Sequence, residues 1–112
     1  MAVELQREST EYVYMGFTGD VPSVSAEVAF LTAGVRPTTE WKAAVIVPDN
    51  LHALWADAVA SGVEGDYFVA RLIGSFGGND LTLSPGDFQP WVRLTGATER
   101  PVRIAPVTVT IA

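Results

Sequence analysis

Short stretches in which apolar and polar residues alternate constrain the fold of this chain more than any other feature. The period of two is clearest over residues 24–30, 88–95 and 107–111. Alternation of this kind places one set of side chains on each face of a β-strand, so that one face can be buried. Ten glycines and seven prolines separate the stretches at short intervals, as a protein of many short strands requires. The pattern therefore predicts an all-β protein.

Residues 81–102 give the most detailed prediction. We expect a strand that begins at Leu81, a turn at residues 84–87, a second and alternating strand, and an exit at residues 99–101. Pro90 has no N–H to donate to a sheet, which indicates an edge or bulged position in the second strand. Paired strands of this kind are typical of the later part of a small β-sandwich.

One segment breaks the alternation and predicts a helix. Its apolar residues recur at the i, i+3, i+4, i+7 and i+8 positions of one helical stripe, namely Leu51, Leu54, Trp55, Ala58 and Val59. Asp49 or Asn50 would cap the start of the helix, and Ser61-Gly62 would end it. We expect this short helix to pack across the open end of the sandwich.

The remaining extended stretches bring the total to seven or eight strands. They lie at residues 3–6, 12–17, 41–47 and 67–73. Trp41 begins one of them, and we expect its side chain to pack in the core. Strands at intervals of about 8–12 residues indicate an antiparallel β-sandwich, with a closed barrel as the alternative. We expect residues 1–112 to form a single domain, because this length suits one modest core.

The charge of the chain argues against nucleic acid and anionic membranes as partners. The net charge is −6, and the seven Lys and Arg residues are scattered rather than gathered in a phosphate-binding patch. Arg93, Arg100 and Arg103 do lie near one another in the sequence, where a solvated strand edge or local ion pairs are the favoured explanation. Residues 1–12 lack the apolar core of a signal peptide, and no apolar run approaches about 20 residues. We therefore expect a protein made in a cytosol and without a membrane partner.

Charged residues are sparse, at 18% of the chain against a typical value of about 25%. One explanation is that part of the surface is buried in an assembly, because interface cores are depleted of charge. The other is a well-filled core beneath a surface rich in Ala, Val and Thr. The composition alone favours neither.

The side chains that carry catalysis are too few to predict an enzyme. The absence of Cys excludes disulfides, thiolate zinc sites and a Cys nucleophile. The one histidine, His52, lies on the predicted helix without a nucleophile motif nearby, which favours a solvated surface position. The glycine-rich residues 74–80 lack both the Lys-Ser/Thr of a phosphate loop and the spaced carboxylates of a calcium loop. We predict no catalytic residues, no cofactor and no metal site.

Aromatic residues offer the best candidates for contact with a partner. Trp91 lies on the strand face opposite Val92, where it would stack on a sugar, pack on a neighbouring subunit or be covered by the predicted helix. Tyr67 would complete a stacking platform with Trp91. Phe76 lies at the tip of the glycine-rich loop, and Arg93 shares the face of Trp91. Trp91, Tyr67, Phe76 and Arg93 are therefore the predicted interface residues.

Residues 83–95 read LSPGDFQPWVRLT and are followed by Glu99-Arg100-Pro101-Val102. This segment resembles the ending of small immunoglobulin-like β-sandwich proteins of tailed bacteriophages, especially those of actinobacteria. Pro37-Thr38-Thr39-Glu40-Trp41 is similar to the Trp that follows a Pro-Thr-Thr turn in those proteins. Residues 68–74, FVARLIG, are similar to one of their strands. The resemblance covers about two thirds of the chain, and residues 51–59 and 74–80 depart from it.

The resemblance implies an immunoglobulin-like fold and a structural role in the virion. Such a protein is not an enzyme. It would act as an adaptor at the head, the head-to-tail junction or the tail, as a homo-oligomer that docks on a portal, capsid or tail ring. It would be assembled in the host cytoplasm. A carbohydrate- or host-surface-binding module, with Trp91 and Tyr67 as its platform, is the alternative function.

Overall fold

Eight β-strands form most of the regular structure in the computed structural model, which describes residues 1–112. The helical content is one short α-helix, α1 (Trp55–Ala60), and a 3₁₀ turn at Phe76–Gly78. The strands are β1 (Ala2–Leu5), β2 (Glu11–Phe17), β3 (Ser25–Leu31), β4 (Lys42–Val47), β5 (Tyr67–Ile73), β6 (Gly86–Thr95), β7 (Val102–Ile104) and β8 (Thr108–Ile111). The prediction of an all-β fold with seven or eight strands and one short helix is confirmed.

The strands pair in the order β1-β8-β6-β3-β4-β5-β2 and make a sheet that is nearly closed. One layer holds β2, β5 and β4, and the other holds β3, β6, β8 and β1, with β7 beside β6. β4 belongs to both layers, because residues 42–44 pair with β3 and residues 45–47 pair with β5. All pairs are antiparallel except β1 and β8, which run parallel. The expectation of a purely antiparallel sheet is therefore wrong at this one pair.

The predicted alternation places the core between the two layers. Val28 on β3 pairs with Val92 on β6, and both are fully buried. Met15 on β2 pairs with Val69 on β5, and both are fully buried in the opposing layer. At about 25 cal/mol per Å² of apolar surface removed from water, side chains of this size supply the main stabilisation of the fold.

The helix packs on the outer face of the β2–β5 layer rather than across the end of the sandwich. The ring of Trp55 meets the ring of Phe68 edge-on at 5.0 Å, and Phe68 lies on the face opposite Val69. Residues 49–54 form turns, so that Leu51 is 89% exposed instead of lying on a buried stripe. The side-chain oxygen of Asp49 accepts the Leu51 N–H, and such local bonds favour a turn over a helix.

Residues 80–85 form no strand, which corrects the prediction that one begins at Leu81. Leu81 is half-buried against the core, and its carbonyl accepts hydrogen bonds from the Gly74 N–H and the Asn79 amide. At Leu81 the side chain of Asn79 thus provides a hydrogen bond that a neighbouring strand would otherwise provide. Regular pairing begins only at Gly86, opposite Ile111.

Pro90 lies inside β6 at the point where the partner strand changes. β8 pairs with residues 86–88 of β6, and β7 pairs with residues 91–93. The Pro90 carbonyl accepts the Ala105 N–H, so its missing N–H falls in the gap between the two partners. The Gln89 side chain fills this gap by donating to the carbonyls of Ala105 and Val107 at 2.8 and 3.2 Å. Pro90 is thus tolerated at an interruption of the ladder rather than at a sheet edge or a bulge.

Candidate docking surfaces

The loop at residues 74–80 is held at its base by the side chain of Arg71. This guanidinium is buried, and it donates to the carbonyls of Ala43 and Leu72 at 2.8 and 3.1 Å. It also donates to the side chains of Asn79 and Asp80. The buried charge is therefore compensated by four acceptors, as a stable buried arginine requires.

Asn79 adds further hydrogen bonds from the loop side, and we call the hydrogen bonds of Arg71 and Asn79 together the clamp. Its amide nitrogen donates to the carbonyls of Leu72, Gly74 and Leu81 at 2.9, 2.7 and 3.2 Å. Hydrogen bonding to Arg71 lowers the pKa of Asp80 below its usual range. Asn79 and Asp80 thus have structural partners within the chain.

Phe76 projects from the tip of the clamped loop and is 83% exposed. Gly77 and Gly78 follow it with φ values of 71° and 76°, which side chains other than glycine rarely adopt. The Phe76 N–H donates to the hydroxyl of Thr10, which ties the tip to the β1–β2 connection. A large apolar ring is therefore held out in solvent by a loop with its own internal hydrogen bonds.

Trp91 lies on the outer face of β6, as predicted, and is half-buried. The guanidinium of Arg36 lies 5.2 Å from the centre of its ring and occupies one of its faces. The helix α1 packs on the other layer, against Phe68, so cover by this helix, one of the three alternatives for Trp91, does not occur. Ile104 pairs opposite Trp91 on β7 and is 55% exposed, which extends the apolar surface to the sheet edge.

Arg93 shares the outer face with Trp91, but its charge is used within the chain. Its guanidinium donates to Glu27 at 2.8 and 3.0 Å and lies 4.6 Å from the centre of the Trp41 ring. Arg100 approaches the same carboxylate at 3.3 Å, so local ion pairs explain these two arginines. Trp41 is half-buried under Arg93 on the outside of the sheet, which corrects its predicted place in the core.

Tyr67 is buried, with 2% of its surface exposed, and cannot form the predicted stacking platform with Trp91. Its ring stacks on Phe17 at 5.8 Å, and burial raises the pKa of its hydroxyl. Both faces of β5 are covered, one by the other layer and one by α1, so alternation along this strand does not show which residues are exposed.

A cavity of about 280 Å³ opens between the two layers at the end of the sandwich where β5 begins. Tyr67 and Leu94 belong to the inward faces of the two layers and form its floor. Residues 20–23 and 96–99 and Pro101 form its rim. This cavity was not predicted from the sequence. The one available signal was the pair of apolar residues Val21 and Val24 among turn residues.

A polar contact also joins α1 to β2. The hydroxyl of buried Tyr14 donates to the carboxylate of Asp57 at 2.5 Å. Burial, followed by this hydrogen bond, raises the pKa of Tyr14 well above its usual value of 10.0. Glu4 and Glu11 line the same groove as Asp57. The sequence did not place these three carboxylates together, because they come from three separate elements.

His52 is half-buried rather than solvated. Its Nδ1 accepts the N–H of Leu54 at 3.1 Å, immediately before the start of α1. No group of three His, Asp or Glu side chains comes close enough to hold a metal ion. The helices lack the length and apolar character that a membrane-spanning helix needs.

Comparisons with known proteins returned no relative. No family model matches the chain, and neither the curated proteins nor the solved structures gave a significant match.

Proposed function

We propose that this protein is a non-enzymatic structural component of a bacteriophage virion. It acts as a multi-copy adaptor at the head, the head-to-tail junction or the tail. Its partners are further copies of itself and a portal, capsid or tail ring. The assignment to a virion rests on the sequence resemblance at residues 83–102, 37–41 and 68–74. The docking role rests on the surface of the fold.

The main support for the docking role is the exposed ring of Phe76 at the tip of the loop that the clamp holds. Solvent exposure of a large apolar ring is unfavourable for an isolated protein, and binding to a partner would remove that cost. The loop is already ordered by Arg71 and Asn79, so little conformational entropy is lost when it docks. The exposed residues Ile104 and Val102 beside Trp91 provide a second apolar area.

The carbohydrate-binding alternative receives less support from the geometry. A sugar platform needs exposed aromatic faces, and Tyr67 is buried while Arg36 lies over Trp91. A glycan array with the wild-type protein, and with Trp91→Ala as its control, tests this alternative directly. Specific hits that disappear with Trp91→Ala would favour it over the adaptor role.

The virion role is tested by examining particles of the phage that encodes the chain. We expect quantitative mass spectrometry of particles banded twice in a density gradient to detect several copies of the protein per particle. An abundant host protein provides the control for contamination. Size-exclusion chromatography with light scattering tests self-association separately. A protein that is absent from particles and monomeric at all concentrations contradicts the proposal.

A further inference from the structure

The exposed Phe76 and the open cavity lie at opposite ends of the sandwich. β5 starts with Tyr67, which lines the cavity, and ends with Ile73, three residues before Phe76. A strand of seven residues spans roughly 20 Å, and the longest dimension of the molecule is 36 Å. Phe76 therefore cannot reach the cavity of its own chain, but it can reach the cavity of another copy.

The size of the cavity suits an aromatic ring. Its volume is about 280 Å³, whereas a cavity of about 150 Å³ in another protein is enough to bind benzene. Val21, Pro22, Leu94 and Pro101 contribute apolar surface, and Val21 and neighbouring Val24 are 40% and 64% exposed. A phenyl ring that enters would cover apolar side chains that water now contacts.

Residues of opposite charge lie near the two features. Arg7 lines a depression together with Gly74 and Ser75, the residue before Phe76, and its Nε donates to the carbonyl of Ala112. Asp20 and Glu99 line the cavity, and neither carboxylate forms an ion pair within the chain. An arginine that arrives with Phe76 would thus meet unpaired carboxylates, which favours this orientation.

We propose that Phe76 of one copy inserts into the cavity between the layers of the next copy, with its Arg7 facing Asp20 and Glu99. This inference rests on the proposed multi-copy role and names one contact that builds the assembly. The two surfaces differ and lie at opposite ends, so the contact is heterologous. Repetition of such a contact gives a ring if the rotation closes and a filament if it does not.

Engineered cysteines test the contact, because the chain has no cysteine of its own. Ser75→Cys lies beside Phe76, and Ala97→Cys lies on the cavity rim. In the doubly substituted chain, we expect mild oxidation to give a ladder of covalent oligomers on non-reducing gels. An internal disulfide is excluded because it needs Cα atoms within about 7 Å. The two single variants mixed in equal amounts should give mainly mixed dimers.

The ladder should depend on the Phe76 ring. Adding Phe76→Ala should reduce cross-linking at least about tenfold, because the apolar ring is no longer buried at the contact. Leu51→Ala removes another exposed apolar side chain and should leave the ladder unchanged. Arg7→Glu should weaken cross-linking, and further replacement of Asp20 and Glu99 by Arg should restore it.

The outcomes separate this contact from the wider function. A ladder that depends on Phe76 supports the proposal. Wild-type oligomers in light scattering without a cross-link between positions 75 and 97 overturn this contact and leave the adaptor role standing. A ladder that persists with Phe76→Ala also overturns it, because the cysteines then meet by random collision. Particles without the protein would defeat the virion role, whatever the gels show.

Discussion

At the scale of single residues, the structure shows which positions allow no change. Gly16 on β2 pairs with Phe68 on the outer face of its layer, where the chain at Glu64 and Gly65 passes directly over it. A Cβ added at Gly16 would lie 1.8 Å from the carbonyl oxygen of Glu64. Backbone atoms cannot move aside as the end of a flexible side chain can.

Gly16→Ala is therefore expected to destabilise the protein by about 3 kcal/mol or to prevent folding. Gly19→Ala is the matched control, because nothing lies within 4 Å of its added Cβ and only its φ of 94° is unfavourable. We expect a cost of about 1 kcal/mol for that control. Urea unfolding followed by circular dichroism measures both, and equal effects would contradict the close approach at Gly16.

The burial of Tyr14, together with its hydrogen bond to Asp57, makes stability depend on pH in the alkaline range. The pKa of Tyr14 is higher in the folded protein than in the unfolded chain, where it is about 10. Above that pH the unfolded state loses the proton and the folded state keeps it. Stability is thus fully present below about pH 10 and declines as the pH rises further.

Tyr14→Phe should cost about 1 kcal/mol at neutral pH, since one hydrogen bond to a solvated carboxylate is lost. It should also reduce the alkaline decline of unfolding free energy by up to about 1.4 kcal/mol per pH unit, the contribution of one proton. Tyr12→Phe on the exposed neighbour serves as the control. An alkaline slope identical in wild type and Tyr14→Phe would rule out this assignment.

At the scale of elements, the clamp at the base of the 74–80 loop controls how Phe76 is presented. Asn79→Ala would leave the carbonyls of Leu72, Gly74 and Leu81 without their side-chain donor. We expect a loss of about 2 kcal/mol and faster amide exchange in the loop, because buried acceptors without partners are costly. Asn50→Ala, at an exposed turn position, is the control. Unchanged exchange at residues 74–80 would show that the clamp does not order the loop.

Local sequence patterns predicted where the elements lie better than they predicted which parts of the chain pack against each element. The alternation at residues 107–111 gave β8 with the correct buried face, because this strand has one buried face. In β3 the predicted inward residues 26, 28 and 30 are buried, but Ala29 on the opposite face is buried as well, and Val24 is 64% exposed. The exposure of Tyr67 and Trp41 was predicted wrongly. The exposure of Tyr67 depends on α1 and the other layer. The exposure of Trp41 depends on Arg93, which lies 52 residues away in the sequence. Tertiary contacts of this kind leave no periodic signal.

The candidate docking surface was only partly predictable from the sequence. Phe76 could be identified because glycines surround it, and a large apolar residue among glycines has little chance of local burial. The cavity could not, since its lining comes from β5, β6 and two connections that meet only after folding.

At the scale of the whole molecule, the position of a strand in the sheet should determine how much its removal destabilises the protein. β1 and β8 have four residues each, but β1 lies at the edge while β8 lies between β1 and β6. Removal of residues 108–112 takes away buried Val109 and Ile111 and the only strand partner of β1. We expect that truncation to unfold the protein.

Removal of residues 1–5 should leave a folded but less stable protein, since Leu5 is the one buried side chain lost. Proton NMR spectra of the two truncated chains distinguish these results by the dispersion of their methyl and amide signals. If both truncations gave equally dispersed spectra, the sheet order would not determine stability in this way.

The parallel pairing of β1 with β8 also determines how the fold would respond to tension. The chain enters through one of these strands and leaves through the other, so a pull on its two ends slides them lengthwise past each other. The carbonyl of Met1 accepts from Thr108, that of Leu5 accepts from Ala112, and Arg7 donates to Ala112. These bonds would share the load at the same moment instead of opening in succession. The domain is thereby built to withstand stretching between its termini far better than peeling from one edge.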